Sequence, residues 1–385
     1  MPYSRLTPFS TFVSHCCVAA VTALAACGDD GGSGNADGAT TAATTTVAVT
    51  GSGSTDTGGS GASDEGSGSG TGADSTGAPD GVACVNAPFV NGASPGPNYE
   101  DFDVTLGSHC QGTDHQDITD IERVVFVGDS VTVGTPPTGS HQSYRAIMAD
   151  QLAPMFDLEP PEMQWRQWSL ATGMSLLKES GGFASCAEWG ARNDDLLPQL
   201  EDCFEGDDFD KRTLVIFTMG GNDVSRFAQQ ASDGVPIADL FEQLEVMLEH
   251  HRTAMDWLTA DKSKFPNGIF VVNANVYEFT DYTTEVLSCP ASGLAGFDSN
   301  PPMAEVLLGS LNLINETYAE VAIETGTDII LMFEQMCGHG FLADDPDNVC
   351  YRGPDTDTLF DTSCIHPTPD GHAALAEMFM NVITE

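Results

Sequence analysis

The chain has 385 residues, which is enough for one large domain or two small ones. Its 57 acidic and 13 basic residues give a formal net charge of −44, which disfavours binding to nucleic acid or to anionic membrane surfaces. Hydrophobic residues make up 41 % of the chain, so a substantial folded core is expected.

The first 26 residues have the pattern of an export signal. Arg5 is the one charged residue in this stretch, and a mostly apolar run follows it. The run ends in Leu-Ala-Ala-Cys27, which is similar to the lipobox of bacterial lipoproteins, where the cysteine is lipid-modified. We therefore expect a lipoprotein-type signal peptide at 1–26, lipidation at Cys27 and a location outside the cytoplasm. The alternative is an ordinary secretory signal, in which case the protein is secreted without the anchor.

A low-complexity segment separates this signal from the rest of the chain. Residues 27–82 are rich in Gly, Ser, Thr and Asp and contain no Lys, Arg or aromatic residue. Such a composition cannot bury enough apolar surface to offset the entropy lost on ordering, so a disordered tether is predicted. A connecting segment at 83–120 and a single folded domain at 121–385 follow.

The cysteine usage agrees with export. Eight cysteines follow Cys27, and an even number in an exported chain favours disulfides. Eight cysteines allow 105 pairings, so the sequence alone does not fix the connectivity. Short loop closure favours the first two of the following pairs, a staple of the connecting segment gives the third, and the fourth is left over: Cys186–Cys203, Cys337–Cys350, Cys84–Cys110 and Cys289–Cys364.

The folded domain alternates short apolar β-branched runs with stretches of helical spacing. This alternation predicts a parallel sheet covered by helices on both faces, in which the active site lies at the carboxyl ends of the strands. Five strands are predicted, at 123–128, 163–168, 213–218, 268–273 and 328–333. Helices are predicted at 143–155, 237–258, 302–325 and 369–383.

Polar and glycine-rich motifs follow several of these elements. Gly-Asp-Ser130 ends the first strand, Gly173 follows the second, and Gly-Gly-Asn222-Asp ends the third; His366-Pro stands near the C-terminus. In this order the four motifs resemble the sequence blocks of the SGNH, or GDSL, hydrolase superfamily of esterases and lipases. The resemblance spans about residues 121–385 and implies a flavodoxin-like α/β/α sandwich with a central five-stranded parallel sheet.

The resemblance also implies a role for each motif. Ser130 takes the role of nucleophile and His366 that of general base, because a serine hydroxyl needs an adjacent base to react at neutral pH. The backbone N–H groups of Ser130 and Gly173 and the side-chain amide of Asn222 form the oxyanion hole, which stabilises the negative charge that builds on the ester oxygen.

One block departs from the superfamily pattern. The usual motif has an Asp three residues before the His, but position 363 is Ser and Asp361 lies two residues earlier than expected. Asp361 is our prediction for the third triad member, reaching the imidazole from a rearranged loop. Two alternatives remain open: a backbone carbonyl near residues 363–364 orients the ring, or a more distant carboxylate, Asp355 or Asp357, does so.

These observations predict an exported, membrane-tethered serine hydrolase that acts on carboxylic esters such as lipids, acetylated glycans or small esters. Its membrane association is expected to depend on the lipid anchor alone. No nucleotide-binding or zinc-peptidase motif occurs in the sequence, so neither a cofactor nor a metal is predicted. The alternatives are a non-catalytic binding module on a decayed scaffold and an acyl- or acetyltransferase of the cell envelope.

Overall fold

A mixed six-stranded sheet forms the centre of the protein. The computed structural model describes residues 81–385, so the predicted signal peptide, Cys27 and all but the last two residues of the predicted tether lie outside the described part. The strands are β1 (Arg123–Gly128), β2 (Glu179–Ser180), β3 (Phe183–Ser185), β4 (Thr213–Thr218), β5 (Ile269–Ala274) and β6 (Asp328–Ile330).

The strands are arranged in the order β2-β3-β1-β4-β5-β6. All neighbouring pairs are parallel except β2 and β3, which run antiparallel at one edge. Every residue of β1 and β4 is buried, as expected for parallel strands that are covered on both faces. The opposite edge, at β6, is partly covered by the connecting segment, where Gly112 forms an antiparallel bridge to Ile330.

Helices cover both faces of the sheet. On one face, Phe126 and Ile216 pack in one core cluster with Met148 and Phe379 of the covering helices. On the other face, alternate residues of the same strands pack against a second set of helices. The α-helices of the described chain are α1 (Gly81–Asn86), α2 (Ser130–Val133), α3 (Tyr144–Met155), α4 (Met163–Arg166), α5 (Asn193–Cys203), α6 (Gly221–Ser232), α7 (Ile237–Thr259), α8 (Ala304–Thr325), α9 (Met332–Met336) and α10 (Pro369–Thr384). None of the helices in the described part of the chain is long and apolar enough to cross a membrane.

The α/β/α architecture is as predicted, but the second strand was predicted in the wrong place. Residues 163–168 do not form a strand, because Met163–Arg166 is the short helix α4. Its Trp165 is fully buried against Phe126 and Phe183, so this one apolar side chain packs on the sheet, whereas Met163 is exposed. The strand that pairs with β1 on this side is β3, which has only three residues, and the sheet has six strands where five were expected.

The last predicted strand is shorter than expected. β6 ends at Ile330, and residues 332 and 333 already belong to α9. The side chain of the buried Asn275 accepts a hydrogen bond from the Phe333 N–H at 2.7 Å, which satisfies one of the backbone donors left free at the start of that helix. The apolar run therefore continues past the strand as a buried helical turn.

Four disulfides join the eight cysteines of the described chain in the predicted pairs: Cys84–Cys110, Cys186–Cys203, Cys289–Cys364 and Cys337–Cys350. The first staples the connecting segment onto itself. The third links a long loop after β5 to the loop that carries His366. A set of four disulfides fits a protein of an oxidising, exported compartment.

Candidate active site

Ser130 lies at a tight turn between β1 and α2, at the carboxyl edge of the sheet. Gly128, which ends the strand, has a φ of +128°, and a Cβ atom there would lie 2.4 Å from the carbonyl oxygen of Thr218. Only glycine fits this close approach of two strands. Asp129 caps α2, and its Oδ1 accepts hydrogen bonds from the Val131 N–H and the Thr218 hydroxyl, each at 3.0 Å. The turn therefore holds Ser130 in a fixed position.

His366 meets Ser130 from the far end of the chain. Its Nε2 lies 2.9 Å from the Ser130 Oγ, a hydrogen-bond distance. The loop that carries His366 is closed by a bridge between Phe360 and Pro367 and by the hydrogen bond from the Asp361 N–H to the His366 carbonyl oxygen, at 2.9 Å. The Tyr277 hydroxyl donates to the carbonyl oxygen of Ile365, the residue before His366, at 2.5 Å. These contacts fix the imidazole against the serine.

Burial determines the charge state of this imidazole. Desolvation by the surrounding protein lowers the pKa of the half-buried His366 to about 4. Among the described residues, its ring nitrogens contact the hydroxyls of Ser130 and Ser363 and no carboxylate that would stabilise the protonated form. At neutral pH the ring is therefore uncharged and its Nε2 can accept the Ser130 proton. This is the protonation state that a general base requires.

The second ring nitrogen contacts a serine. The His366 Nδ1 lies 2.8 Å from the Ser363 Oγ, and that hydroxyl lies 2.5 Å from the Asp361 Oδ1. Asp361 is buried, but within residues 81–385 its carboxylate bonds to Ser363 and not to the imidazole. The prediction of a direct contact between Asp361 and His366 is therefore wrong, because the loop places the Ser363 hydroxyl between them.

The two other candidates for the third position are not at the ring. Asp355 and Asp357 are both exposed, and the backbone carbonyl of Asp357 is occupied by the Nδ1 of His339 at 2.8 Å. A side-chain hydroxyl also fills the place proposed for a backbone carbonyl near residues 363–364. In the sequence, Ser363 is recognisable only as the departure from the expected Asp.

Asn222 lies on the neighbouring strand end, as the sequence predicted. It is the second residue of α6, directly after β4 and a glycine turn at Gly220 with φ +114°. Its Nδ2 donates a hydrogen bond to the Ala191 carbonyl oxygen at 2.9 Å, which uses one of the two amide hydrogens. Asn222 lines the same cavity as Ser130 and His366, so the second amide hydrogen remains for a ligand there.

Gly173 does not have the geometry expected of it. Its N–H donates to the Ser169 carbonyl oxygen at 2.8 Å, and its own carbonyl oxygen accepts from Trp189 at 3.0 Å. The N–H and the carbonyl oxygen of Gly173 are thus both hydrogen-bonded to backbone groups of neighbouring loop residues. The expectation rested on a strand at 163–168, which the fold does not contain.

Gly190 lies at the place in the fold that the sequence predicts for Gly173, namely the loop after the strand next to β1. It follows β3, the strand that pairs with β1, and the nearby Glu188 N–H donates to the Gly128 carbonyl oxygen at 3.0 Å. The next residue, Ala191, accepts the Asn222 hydrogen bond. Gly190 is exposed with a φ of +77°, and a Cβ atom there would meet nothing within 4 Å. The one sequence signal for it is a glycine shortly before α5, because β3 itself is too short to detect.

An apolar cavity opens beside Ser130 and His366. Its walls come from α6, α8 and the long loop after β5, which the Cys289–Cys364 disulfide ties to the histidine loop. Apolar side chains dominate the lining: Val131, Val224, Phe227, Ala228, Tyr277, Phe279, Val286, Phe297, Pro301, Leu307, Leu308, Leu311, Ile314 and Ile365. The cavity therefore suits a hydrocarbon group held next to the serine.

One carboxyl group also borders this cavity. Glu278 accepts hydrogen bonds from the Thr280 N–H at 2.5 Å and from the Tyr282 N–H at 2.6 Å. Burial raises its pKa to about 6. Over the described residues, no group of three or more His, Cys, Asp or Glu side chains is arranged to hold a metal ion.

Comparison with known proteins gives one family and several similar structures. The sequence model of the GDSL-like lipase/acylhydrolase family matches residues 126–374. Phospholipase A1 from Streptomyces albidoflavus is 15 % identical, with a TM-score of 0.43, over 68 % of this chain and 98 % of that one. The extracellular lipase from Streptomyces rimosus is 17 % identical, with a TM-score of 0.39, over 68 % and 99 %. No curated protein sequence matches the chain.

Proposed function

The chain belongs to the GDSL-like lipase/acylhydrolase family, a family of ester-cleaving enzymes, and on this premise we propose that it hydrolyses carboxylic esters through an acyl-enzyme on Ser130. The observation that carries the proposal is the 2.9 Å contact between the Ser130 Oγ and the Nε2 of a half-buried, uncharged His366. A serine hydroxyl with such a neighbour has the base that nucleophilic attack requires.

The proposed reaction begins with attack on the ester carbonyl. Ser130 Oγ bonds to the carbonyl carbon while His366 Nε2 takes the hydroxyl proton. The oxygen of the former carbonyl becomes negatively charged and is stabilised by the Ser130 N–H, which is unpaired within α2, and by the Asn222 amide. We include the Gly190 N–H as a third donor in place of the Gly173 N–H, because Gly190 lies between the residues bonded to Gly128 and Asn222.

The intermediate then collapses. The bond to the alcohol oxygen breaks, and the imidazolium of His366 gives its proton to that oxygen. Water repeats the sequence on the acyl-enzyme: His366 takes a proton from water, the hydroxide adds to the acyl carbon, and Ser130 leaves with a proton returned from His366. The free acid and the resting enzyme result.

A fluorophosphonate probe tests this proposal without knowledge of the substrate. We expect the wild-type protein to be labelled covalently at Ser130 and the Ser130→Ala variant to be unlabelled. Ser232→Ala, which removes an exposed hydroxyl on α6, is the matched control and should label like wild type. A folded wild-type protein that the probe does not label would contradict this proposal and favour a non-catalytic binding module. The one sequence feature that favours that alternative is the missing Asp-x-x-His pattern. In the structure, Ser363 lies against the imidazole where that pattern has an Asp.

We further propose that the substrate carries an apolar acyl chain longer than acetyl. The lining of the cavity beside Ser130 supports this choice over an acetylated glycan, because mainly apolar side chains face the bound group. Burying each CH₂ contributes roughly 0.8 kcal/mol. Four additional CH₂ groups therefore favour a hexanoyl over an acetyl ester by about 10²-fold in kcat/KM.

The expected chain-length preference is measured with a series of p-nitrophenyl esters. Ala228→Trp should fill part of the cavity and reduce hexanoate turnover at least tenfold while acetate turnover stays close to wild type, since a two-carbon acyl group occupies far less of the cavity than a six-carbon group. Ala238→Trp places the same bulk at an exposed position on α7 and serves as the control. Equal rates for acetate and hexanoate in the wild-type protein would argue against an acyl-chain site.

We also propose that the protein is anchored through a lipid on Cys27. The apolar run that ends in the lipobox-like Leu-Ala-Ala-Cys27 supports the anchor, and the four disulfides fit an exported domain. Cys27→Ser should move the protein from the membrane fraction to the soluble fraction of the producing cell. Cys17→Ser, in the predicted signal peptide, is the control and should leave the distribution unchanged. Membrane association that persists in Cys27→Ser would exclude this anchor.

A further inference from the structure

The group that contacts the second nitrogen of His366 is an uncharged hydroxyl. Ser363 Oγ lies 2.8 Å from the Nδ1, at the position where the superfamily pattern has a carboxylate. The Asp361 carboxylate lies behind it, with its Oδ1 2.5 Å from the same hydroxyl. A continuous row of hydrogen bonds therefore runs from Ser130 through His366 and Ser363 to Asp361.

Counting protons fixes the direction of this row. For Nε2 to accept the proton of Ser130, the single proton of the neutral ring must sit on Nδ1. Nδ1–H then donates to the Ser363 Oγ. The Ser363 hydroxyl proton cannot also point at the ring, so it is donated to the Asp361 Oδ1, which as an ionised carboxylate can only accept.

Without the carboxylate, the same contact would allow the opposite arrangement. The Ser363 hydroxyl could turn and donate its proton to Nδ1, which would leave the ring proton on Nε2, facing Ser130. A ring in that state cannot take the serine proton. The direction of one hydroxyl therefore decides whether His366 is a base toward Ser130.

We propose that Ser363 is a positioning residue that holds His366 in its reactive tautomer, and that Asp361 acts through Ser363 by keeping the hydroxyl proton away from the ring. This inference rests on the proposed Ser130–His366 chemistry. It differs from a direct triad because the carboxylate does not touch the imidazole, and it differs from a simple dyad because the carboxylate is still required.

The loop geometry explains why Asp361 acts at a distance. Asp361 Oδ1 also accepts the Ser363 N–H at 2.7 Å, and the Asp361 carbonyl oxygen accepts the Cys364 N–H at 3.0 Å. Both bonds turn the chain tightly over residues 361–364. Cys364, with a φ of +72° and a disulfide to Cys289, closes the turn. The Asp361 Oδ1 therefore accepts hydrogen bonds from both the backbone N–H and the hydroxyl of Ser363.

The replacement of a carboxylate by a hydroxyl has a consequence for pH dependence. An anion in contact with the ring stabilises the imidazolium, whereas a hydroxyl does so far less. Several titratable groups surround His366 from the elements packed around it: Asp361 on its own loop, His372 on α10, Asp129 before α2, and Tyr277 and Glu278 after β5. Of these surroundings, the Nδ1 contact should move the acid limb of the pH profile most, because it lies within hydrogen-bond distance of the ring.

The first test compares single substitutions in this loop. Ser363→Ala should lower kcat/KM by about 10²-fold, near the upper end of what removal of an orienting partner costs. Ser363→Thr keeps a hydroxyl and should recover most of that loss. Asp361→Ala should lower kcat/KM at least tenfold, but the double variant Asp361→Ala/Ser363→Ala should be no slower than Ser363→Ala, because Asp361 has no other route to the ring. Thr362→Ala removes an exposed hydroxyl from the same loop and is the control.

The second test moves the carboxylate to the ring. The exchange variant Asp361→Ser/Ser363→Asp has the same composition as wild type but an Asp-x-x-His spacing. We expect it to be active, with the acid limb of kcat/KM against pH displaced upward by about one pH unit or more, since the carboxylate now favours the imidazolium. If residue 363 did not contact the ring, the acid limb would stay where it is in the wild type.

Two outcomes would overturn the inference. One is a Ser363→Ala variant with wild-type kcat/KM and the wild-type pH profile. The other is an additive loss in the double variant, which would mean that Asp361 acts on the reaction independently of Ser363. The rate of fluorophosphonate labelling separates this failure from failure of the proposed function: wild type must react with the probe at Ser130 in either case, and only the dependence of that rate on Ser363 and Asp361 is at issue.

Discussion

Ser130→Ala is expected to reduce ester hydrolysis by on the order of 10⁴- to 10⁶-fold, the range seen when the nucleophile of a serine hydrolase is removed. His366→Ala should cost nearly as much, since without the base the hydroxyl keeps its proton. The double variant should be no slower than either single variant, because the two side chains act as one unit across their 2.9 Å contact. Steady-state kinetics with a p-nitrophenyl ester measures all three.

The two single variants should leave the fold intact. Within the described residues, the Ser130 side chain is hydrogen-bonded to His366, and the turn around Ser130 is held by Asp129 and Gly128. Thermal unfolding therefore serves as the control, with little change expected in Tm. Losses that multiply in the double variant would contradict a shared role and indicate two independent contributions to the rate.

The second large effect is expected at Asn222. Asn222→Ala should lower kcat by roughly 10²- to 10³-fold with a modest change in KM, because in the proposed mechanism the amide bonds to charge that develops only during attack. Asn222→Asp should be slower still, since it keeps the shape and places a negative charge beside the oxyanion. Asn267→Ala, at an exposed turn, is the control. A raised KM with normal kcat would mean that Asn222 binds the substrate and does not stabilise the transition state.

The parts of the fold that could be predicted are those with long apolar runs. β1 and β4 each have six consecutive buried residues, so the strand ends that carry Ser130 and Asn222 were identifiable from the sequence. His366 was identifiable from its sequence context near the C-terminal helix. The physical reason is that buried parallel strands need continuous hydrophobicity, which a single sequence displays.

The errors have an equally physical origin. β3 has three residues, too few to form a pattern, whereas 163–168 contains a buried tryptophan that imitates one. The sequence therefore predicts the glycine of the oxyanion hole at Gly173, whereas we propose Gly190 for that role. Ser363 escaped prediction for a different reason: its contact with the ring depends on a turn built from backbone hydrogen bonds, which residue spacing alone does not reveal.

The Cys289–Cys364 disulfide couples the motions of two loops. Cys364 lies two residues before His366, and Cys289 lies in the segment that walls the apolar cavity; 75 residues of chain separate them. The histidine loop cannot open by itself into solvent, because any large excursion must take the cavity wall with it. In native-state hydrogen exchange, the amides of both segments should therefore share one opening free energy. Reduction of this bond would let the histidine loop exchange faster on its own.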